Sequence, residues 1–258
     1  MGSIKRLRHP STGGNARGDA TRLRIIEAAI ELFGEHGFEG ASTRDIAARA
    51  GVNAPALQYY FENKKGVYQT CAEYLADDAW MYLEPVVSHA TEVLRQEGDT
   101  PALIDTFIDA FIRIQEAVAD RMFVEGCVPD QRRFFVREQA GHEPSMASEV
   151  LTRRLRQPLN NVAAELIARI TGTAADDPIT LIRMLSLHGQ VLIFHIAPRI
   201  TFALLGSKAI DAKQGELLKA TVRAQTRTLL EHWSRERRAR MGCEQRSETS
   251  LAGGAETR

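Results

Sequence analysis

The chain has 258 residues, of which 44% are hydrophobic and 26% charged, enough apolar material to bury one large core or two modest ones. Its 33 Lys plus Arg balance 33 Asp plus Glu, so no overall basic character announces nucleic-acid binding. Three cysteines without paired spacing (Cys71, Cys127, Cys243) argue against a disulfide framework or a Cys-based zinc site and fit a reducing cytoplasm.

The charge is unevenly placed. Residues 1 to 24 carry Lys5, Arg6, Arg8, Arg17, Arg22 and Arg24 against only Asp19. Residues 1–18 are also rich in Gly and Ser without periodicity, and read as a disordered basic arm. Leu23, Ile26, Ile30 and Phe33 then recur at helical steps, predicting an amphipathic helix that stops near Gly34 and Gly37.

Residues 42 to 64, STRDIAARAGVNAPALQYYFENK, hold the densest signal. Ser42 and Asp45 form an S-x-x-D capping box, in which the hydroxyl takes an early backbone N–H and the acid returns to the cap. The short helix so started ends at Gly51, the residue that turns left-handed at least steric cost. Asn53 caps a second helix with Pro55 in its first turn, where the missing N–H does no harm. With Ile46, Ala47, Val52, Leu57 and Phe61 facing inward, this is the pattern of a helix-turn-helix.

Ala54, Pro55, Gln58 and Tyr59 then face outward, small enough at the front for close approach to a major groove, with Gln58 able to bond adenine. Thr43, Arg44, Tyr60 and Lys64 are placed to reach phosphates. Arg44 can alternatively reach a guanine.

Residues 22 to 75, with IIEAAIELFGEHGFEGAST, RDIAARAGV and a helix ending in YYFENK, resemble the DNA-binding domain of TetR-family regulators. The resemblance implies that Thr43, Arg44, Pro55, Gln58, Tyr59, Tyr60 and Lys64 contact DNA. Many members have Tyr where this chain has Gln58, so base preference does not carry over. The Tyr59-Tyr60-Phe61 run, the stretch from Tyr68 to Asp77 and Phe135-Val136-Arg137-Glu138-Gln139 resemble the CecR-like subgroup. That implies a helical C-terminal domain which dimerises and senses a small molecule, with export or drug-response genes under its control.

Farther along, a long helix is predicted over about 64 to 96 with a bend at Pro85. Thr100 before Pro101 opens a helix with Ile104, Phe107, Ile108 and Phe111 on one face, and Asp177 before Pro178 repeats the signal. Leu159, Val162, Leu166, Ile167 and Ile170 keep helical spacing after a break at Gly141 to Pro144. Ile179 to Ile196 is apolar nearly all round, and a last helix is predicted over about 214 to 238. The longest apolar stretch, Val191 to Leu205, is broken by His195, Pro198 and Arg199, so no membrane partner is expected.

The fold class expected is all-α, about nine helices without an internal repeat. The organisation expected is a basic arm over 1–18, a DNA-binding domain over 19–79, a helical effector and dimerisation domain over 80–240 and a disordered tail over 241–258. The helices near 179 to 197 and 214 to 234 carry surplus apolar surface and predict a homodimer on a near-palindromic operator.

Trp80, Phe107, Phe111 and Met122 suit an effector cavity and suit plain core equally. Arg137 and Glu138 read as a structural ion pair, with the orienting of a ligand carboxylate or amine as the other reading. His188 and His195 share a helix face without acidic or Cys company at metal spacing, so they read as pocket or interface histidines, and no metal or cofactor is expected. No G-x-S-x-G elbow, phosphate-cradling glycine loop or Cys-His pair points to an enzyme. The expected function is a repressor that a small molecule releases from its operator. The alternative is a DNA-bound protein of the nucleoid-occlusion type that contacts a protein partner.

Overall fold

Polar caps place the helix starts. In the computed structural model, which describes residues 16–123, 129–141, 143–207 and 210–253, Ser42 Oγ accepts from Asp45 N at 3.1 Å to open α2 (Thr43–Arg49). The Asp45 carboxylate meets the Ser42 hydroxyl at 2.6 Å, in place of the expected return to the cap N–H. Asn53 Oδ1 takes Ala56 N at 2.8 Å ahead of α3 (Ala54–Tyr60), and Asn63 Oδ1 takes Gly66 N at 3.0 Å ahead of α4 (Lys64–Leu94). Thr100 and Asp177 do the same for α5 (Pro101–Phe123) and α9 (Pro178–Ile196). These caps satisfy N–H groups that a first turn leaves without intrahelical partners.

The remaining elements are α1 (Ala16–Gly40), α6 (Pro129–Gln139), α7 (Ser145–Leu151), a π-helical turn (Thr152–Arg156), α8 (Gln157–Thr171), α10 (Pro198–Leu204) and α11 (Ala212–Gly253). No strand occurs among the described residues. Helix α1 runs through Gly34 and is interrupted at Gly37, within the expected stop. It kinks at Gly37, whose φ of 73° lies in the left-handed region that glycine alone enters freely, and resumes to Gly40.

Two cores hang on α4. The first joins Ile26, Ile30 and Phe33 of α1, Ile46 and Ala47 of α2, Leu57 of α3 and Val67, Tyr68, Cys71 and Leu75 of α4. It also takes Phe134 of α6 and Ala147, Val150 and Leu151 of α7. The second joins Ala90 and Val93 of α4 with the inner faces of α5, α8 and α9 and with Leu230 of α11. The boundary expected at 79/80 therefore falls within an unbroken helix, and α6 and α7 pack with the N-terminal segment although they follow it by over 50 residues.

At the ends, α1 already includes residues 16–18, and α11 continues to Gly253 where a tail from 241 was expected; residues 1–15 of the arm lie outside the described residues. Helix α9 is long and apolar enough by composition to cross a bilayer, a feature the reading of Val191 to Leu205 missed. Its inner stripe, Thr180, Met184, Leu187, Val191 and His195, is buried in the fold, whereas Ile182, Leu185, Ile193 and Ile196 on the opposite side are exposed.

Candidate DNA-reading head and its tether

Helices α2 and α3 meet through Gly51, at φ 66°, and are closed by a bond from Val52 N to Ala47 O of 2.9 Å. Ile46, Ala47, Leu57 and Phe61 point into the core. Ala54, Pro55, Gln58 and Tyr59 point out, with Tyr59 84% exposed. Tyr60 is half-buried and meets the Tyr59 ring edge-on at 5.2 Å.

Thr43, Gln58 and Lys64 line one shallow groove between the start of α2, the end of α3 and the start of α4. Arg44 is exposed beside it. Lys64 is half-buried: its ammonium sits 4.5 Å above the Phe38 ring and 3.4 Å from Glu39 O. The eight residues expected to contact DNA lie in the first turn of α2, along α3 and at the start of α4. Arg49 is differently employed, since its guanidinium pairs with Glu31, whose hydrogen bond and charge hold its pKa above the usual value.

Sequence reasoning missed the tether behind this head. Arg137 on α6 donates from Nε to Gly34 O at 2.9 Å and from Nη2 to Glu35 O at 2.7 Å, on the α1 segment just before the kink. Glu143 accepts from Phe38 N at 2.8 Å just after it. The helices touch so closely that a Cβ on Gly34 would come within 2.9 Å of Asp130 O. Arg137 and Glu138 do not pair with each other as expected. Arg137 lies 3.9 Å from Glu143, and buried Glu138 takes both guanidinium arms of Arg156 in the π-helical turn. The two glycines were the legible trace of this contact, read as a helix stop.

Of the expected effector residues, Phe107, Phe111 and His188 come together and Trp80, Met122 and Arg137 lie elsewhere. Phe107 and Phe111 are fully buried in the second core, with the Arg169 guanidinium 4.7 Å from the Phe107 ring. His188 stacks on Phe111 at 5.8 Å and 14°, and burial pulls its pKa down to about 4. Met122 packs instead with Ala119, Val191 and Val222, Trp80 is half-buried on α4, and Arg137 holds α1. A buried network was missed: Gln115 donates to Leu187 O at 2.8 Å and accepts from the Thr226 hydroxyl at 2.8 Å, tying α5, α9 and α11. Single polar residues on apolar faces gave no sequence signal for it.

A capped helix-turn-helix, continued by α4 into a helical body, is the architecture of a transcription regulator, and the chain carries a TetR-family N-terminal domain followed by a CecR-type C-terminal domain. Residues 25–71 match the model described as bacterial regulatory proteins, tetR family, and residues 107–232 match the C-terminal domain of the HTH-type transcriptional dual regulator CecR. The chain is 29% identical to the CecR dual regulator of Shigella flexneri over 206 residues, 80% of this chain and 89% of that protein. It superposes on a TetR-family regulator from Shewanella sp. PV-4 with TM-score 0.53 at 20% identity, covering 81% of this chain and 95% of that one. Against AibR, solved with isovaleryl coenzyme A and operator DNA, the TM-score is 0.56 at 14% identity, covering 80% and 97%. Both structures share the fold.

Proposed function

We propose that this protein is a homodimeric cytoplasmic repressor, whose hold on a near-palindromic operator weakens when a small molecule binds its C-terminal half. Residues 19–79 read DNA and residues 80–240 hold effector and dimerise, with α4 common to both. The observation that carries this reading is the α6 tether: one helix packs Phe134 into the core of the reading head and fixes the α1 kink through Arg137. An effector that favours another placement of α6 must change the seat of the head, and operator must then weaken effector binding by the same factor. AibR, a protein of this fold solved with both an acyl thioester and operator, supports a small-molecule input.

Gln58, Tyr59, Pro55 and Ala54 face the bases in this reading, and Thr43, Arg44, Tyr60 and Lys64 the phosphates. Export or drug-response genes are the proposed targets. Mapping bound sites across the source genome, with transcript levels in a deletion strain, tests this. One or a few promoter sites whose genes rise on deletion are expected. Scattered sites without transcript changes would favour the alternative, a DNA-bound protein that contacts a protein partner.

A further inference from the structure

The seam between α5 and α11 is laced by ion pairs. The helices run antiparallel, so that Asp120 meets Lys219, Glu116 meets Arg223, Asp109 meets Arg227 and Asp99, just before α5, meets Arg237. The ladder breaks between its last two rungs. There Asp105 on α5 and Arg235 and Arg238 on α11, all exposed, form no ion pair or hydrogen bond among the described residues. These three side chains line a cavity of about 200 Å3 whose apolar wall is Ile104 and Ile108, 6% and 1% exposed. Ser234 lines it too. It is 4% exposed, and its hydroxyl makes no hydrogen bond among the described residues. Thr221 and Thr228 on the same helix donate back to Leu217 O and Ala224 O, so the unused hydroxyl of Ser234 is not the habit of α11. Native folds seldom leave a buried polar group unpaired, because its lost hydration is not recovered.

We propose that this pocket binds a small zwitterion of amino-acid size, with its carboxylate on Arg235 and Arg238, its ammonium on Asp105 and its apolar part on Ile104 and Ile108. The register of the ladder sets Asp105 opposite Glu231 and Ser234, and carries Arg235 and Arg238 toward Pro101. One end of the pocket is therefore acidic, where Glu231 lies 3.8 Å from Arg227, and the other is basic. Opposite charges that line one cavity without pairing across it suit a molecule that carries both charges, each held by a charge-assisted hydrogen bond. A simple anion would meet Asp105 and Glu231, and a simple cation would meet the two guanidinium groups. Ser234 Oγ can donate to the carboxylate or accept from the ammonium. An apolar cavity of about 150 Å3 already admits benzene, so the space suits a ligand of this size. The site does not depend on small-molecule release of operator, yet its wall is tied to α4. Arg237 donates to Arg169 O at 2.7 Å, and Arg169 donates to Leu94 O at 3.1 Å and to Gln96 O at 2.8 Å, at the end of that helix.

The test is calorimetry on the full-length protein with leucine, phenylalanine and 6-aminohexanoate, each compared with its deaminated acid and its decarboxylated amine. At least one zwitterion is expected to bind at least tenfold more tightly than both of its singly charged analogues. Asp105→Asn should erase its advantage over the acid, and Arg235→Gln combined with Arg238→Gln should erase its advantage over the amine. Ser234→Ala should weaken the zwitterion alone. The comparison of analogues needs no variant, so a misfolded variant leaves the test intact. No binding by any of the three zwitterions, or an analogue that binds as tightly as its zwitterion, would overturn the pocket. So would a preference that survives the substitutions at Asp105, Arg235 and Arg238. Operator titrations run in parallel keep this separate from the release reading. A zwitterion that meets the criteria and leaves operator affinity unchanged supports the pocket and counts against release by that compound.

Discussion

Gln58 and Lys64 line the same groove but should fail differently when replaced by Ala. In the proposed reading Lys64 meets the DNA backbone, so its loss should weaken every duplex and lower the salt slope by about one unit per phosphate contact in each half of the dimer. Its seat above the Phe38 ring adds a stability cost of about 0.5 to 1 kcal/mol. Gln58→Ala should leave the slope intact, cost about 1 to 3 kcal/mol on operator and flatten discrimination at one base pair per half-site. Titrations on operator and scrambled duplex at several salt concentrations decide it; equal weakening of both duplexes by Gln58→Ala would move base reading to Tyr59 or Arg44. Much of this site was legible because caps, turn glycine and outward residues act within four positions of one another, from Ser42 to Asp45 and from Asn53 to Ala56. His188 and His195 carry a second prediction at this scale. Their folded pKa values, about 4, lie below the unfolded value of 6.5. The unfolded chain therefore binds more protons between those values, so their stabilising contribution is complete above pH 6.5 and is lost as pH falls toward 4. Each contributes a slope of up to about 1.4 kcal/mol per pH unit in that window. Thermal melts from pH 7.5 to 4.5 should show the loss, and His188→Phe with His195→Phe should flatten it.

Among the elements, α6 is the one that the proposed function makes the link between effector and reading head. Arg137→Gln removes the bonds to Gly34 O and Glu35 O but leaves Phe134 in the core, so the chain should fold, bind operator and bind effector. What it should lose is communication: the shift in operator affinity on effector binding, of order 1 to 3 kcal/mol for such couplings, should shrink by at least half. An unchanged shift would mean that α6 does not transmit through Arg137. Gly34→Ala presses on Asp130 O from the other side and should give the same loss with lower stability. The caps at Ser42, Asn53, Thr100 and Asp177 were readable, but the Asp211 cap of α11 and the partners of α6 and α7 were not. Phe134 and Leu151 are apolar residues at ordinary helical spacing, and only the tertiary path of the chain sends them to the first core and not the second. The π-helical turn left no trace for a similar reason. Thr152 to Arg156 reads as ordinary helix, and the pairing of Arg154 with Asp77 and of Arg156 with Glu138 depends on helices distant in sequence.

At the scale of the molecule, the described protomer leaves an apolar stripe uncovered. Ile182 and Leu185 of α9 are 60% and 59% exposed, and Leu217 of α11 is 66% exposed. Soluble monomers rarely show contiguous apolar patches beyond a few hundred Å², and a self-complementary pair of helices is a common way to cover one. Not every apolar residue of α11 belongs to that face. Val222, on the helix expected to dimerise, is buried within its own protomer against Ala119 and Val191, so a charge there would damage the fold before it tested the interface. The discriminating change is Ile182→Asp with Leu185→Asp, since both side chains are solvent-exposed in the single chain. Sedimentation should then report monomers, and far-UV circular dichroism should report unchanged helix content. Operator affinity should fall roughly 100-fold or more, because two linked heads gain about that much over one. A monomer that kept full operator affinity would mean that a single head suffices. An unchanged dimer would move the interface to α10, where Ile200 and Leu204 are 66% and 83% exposed.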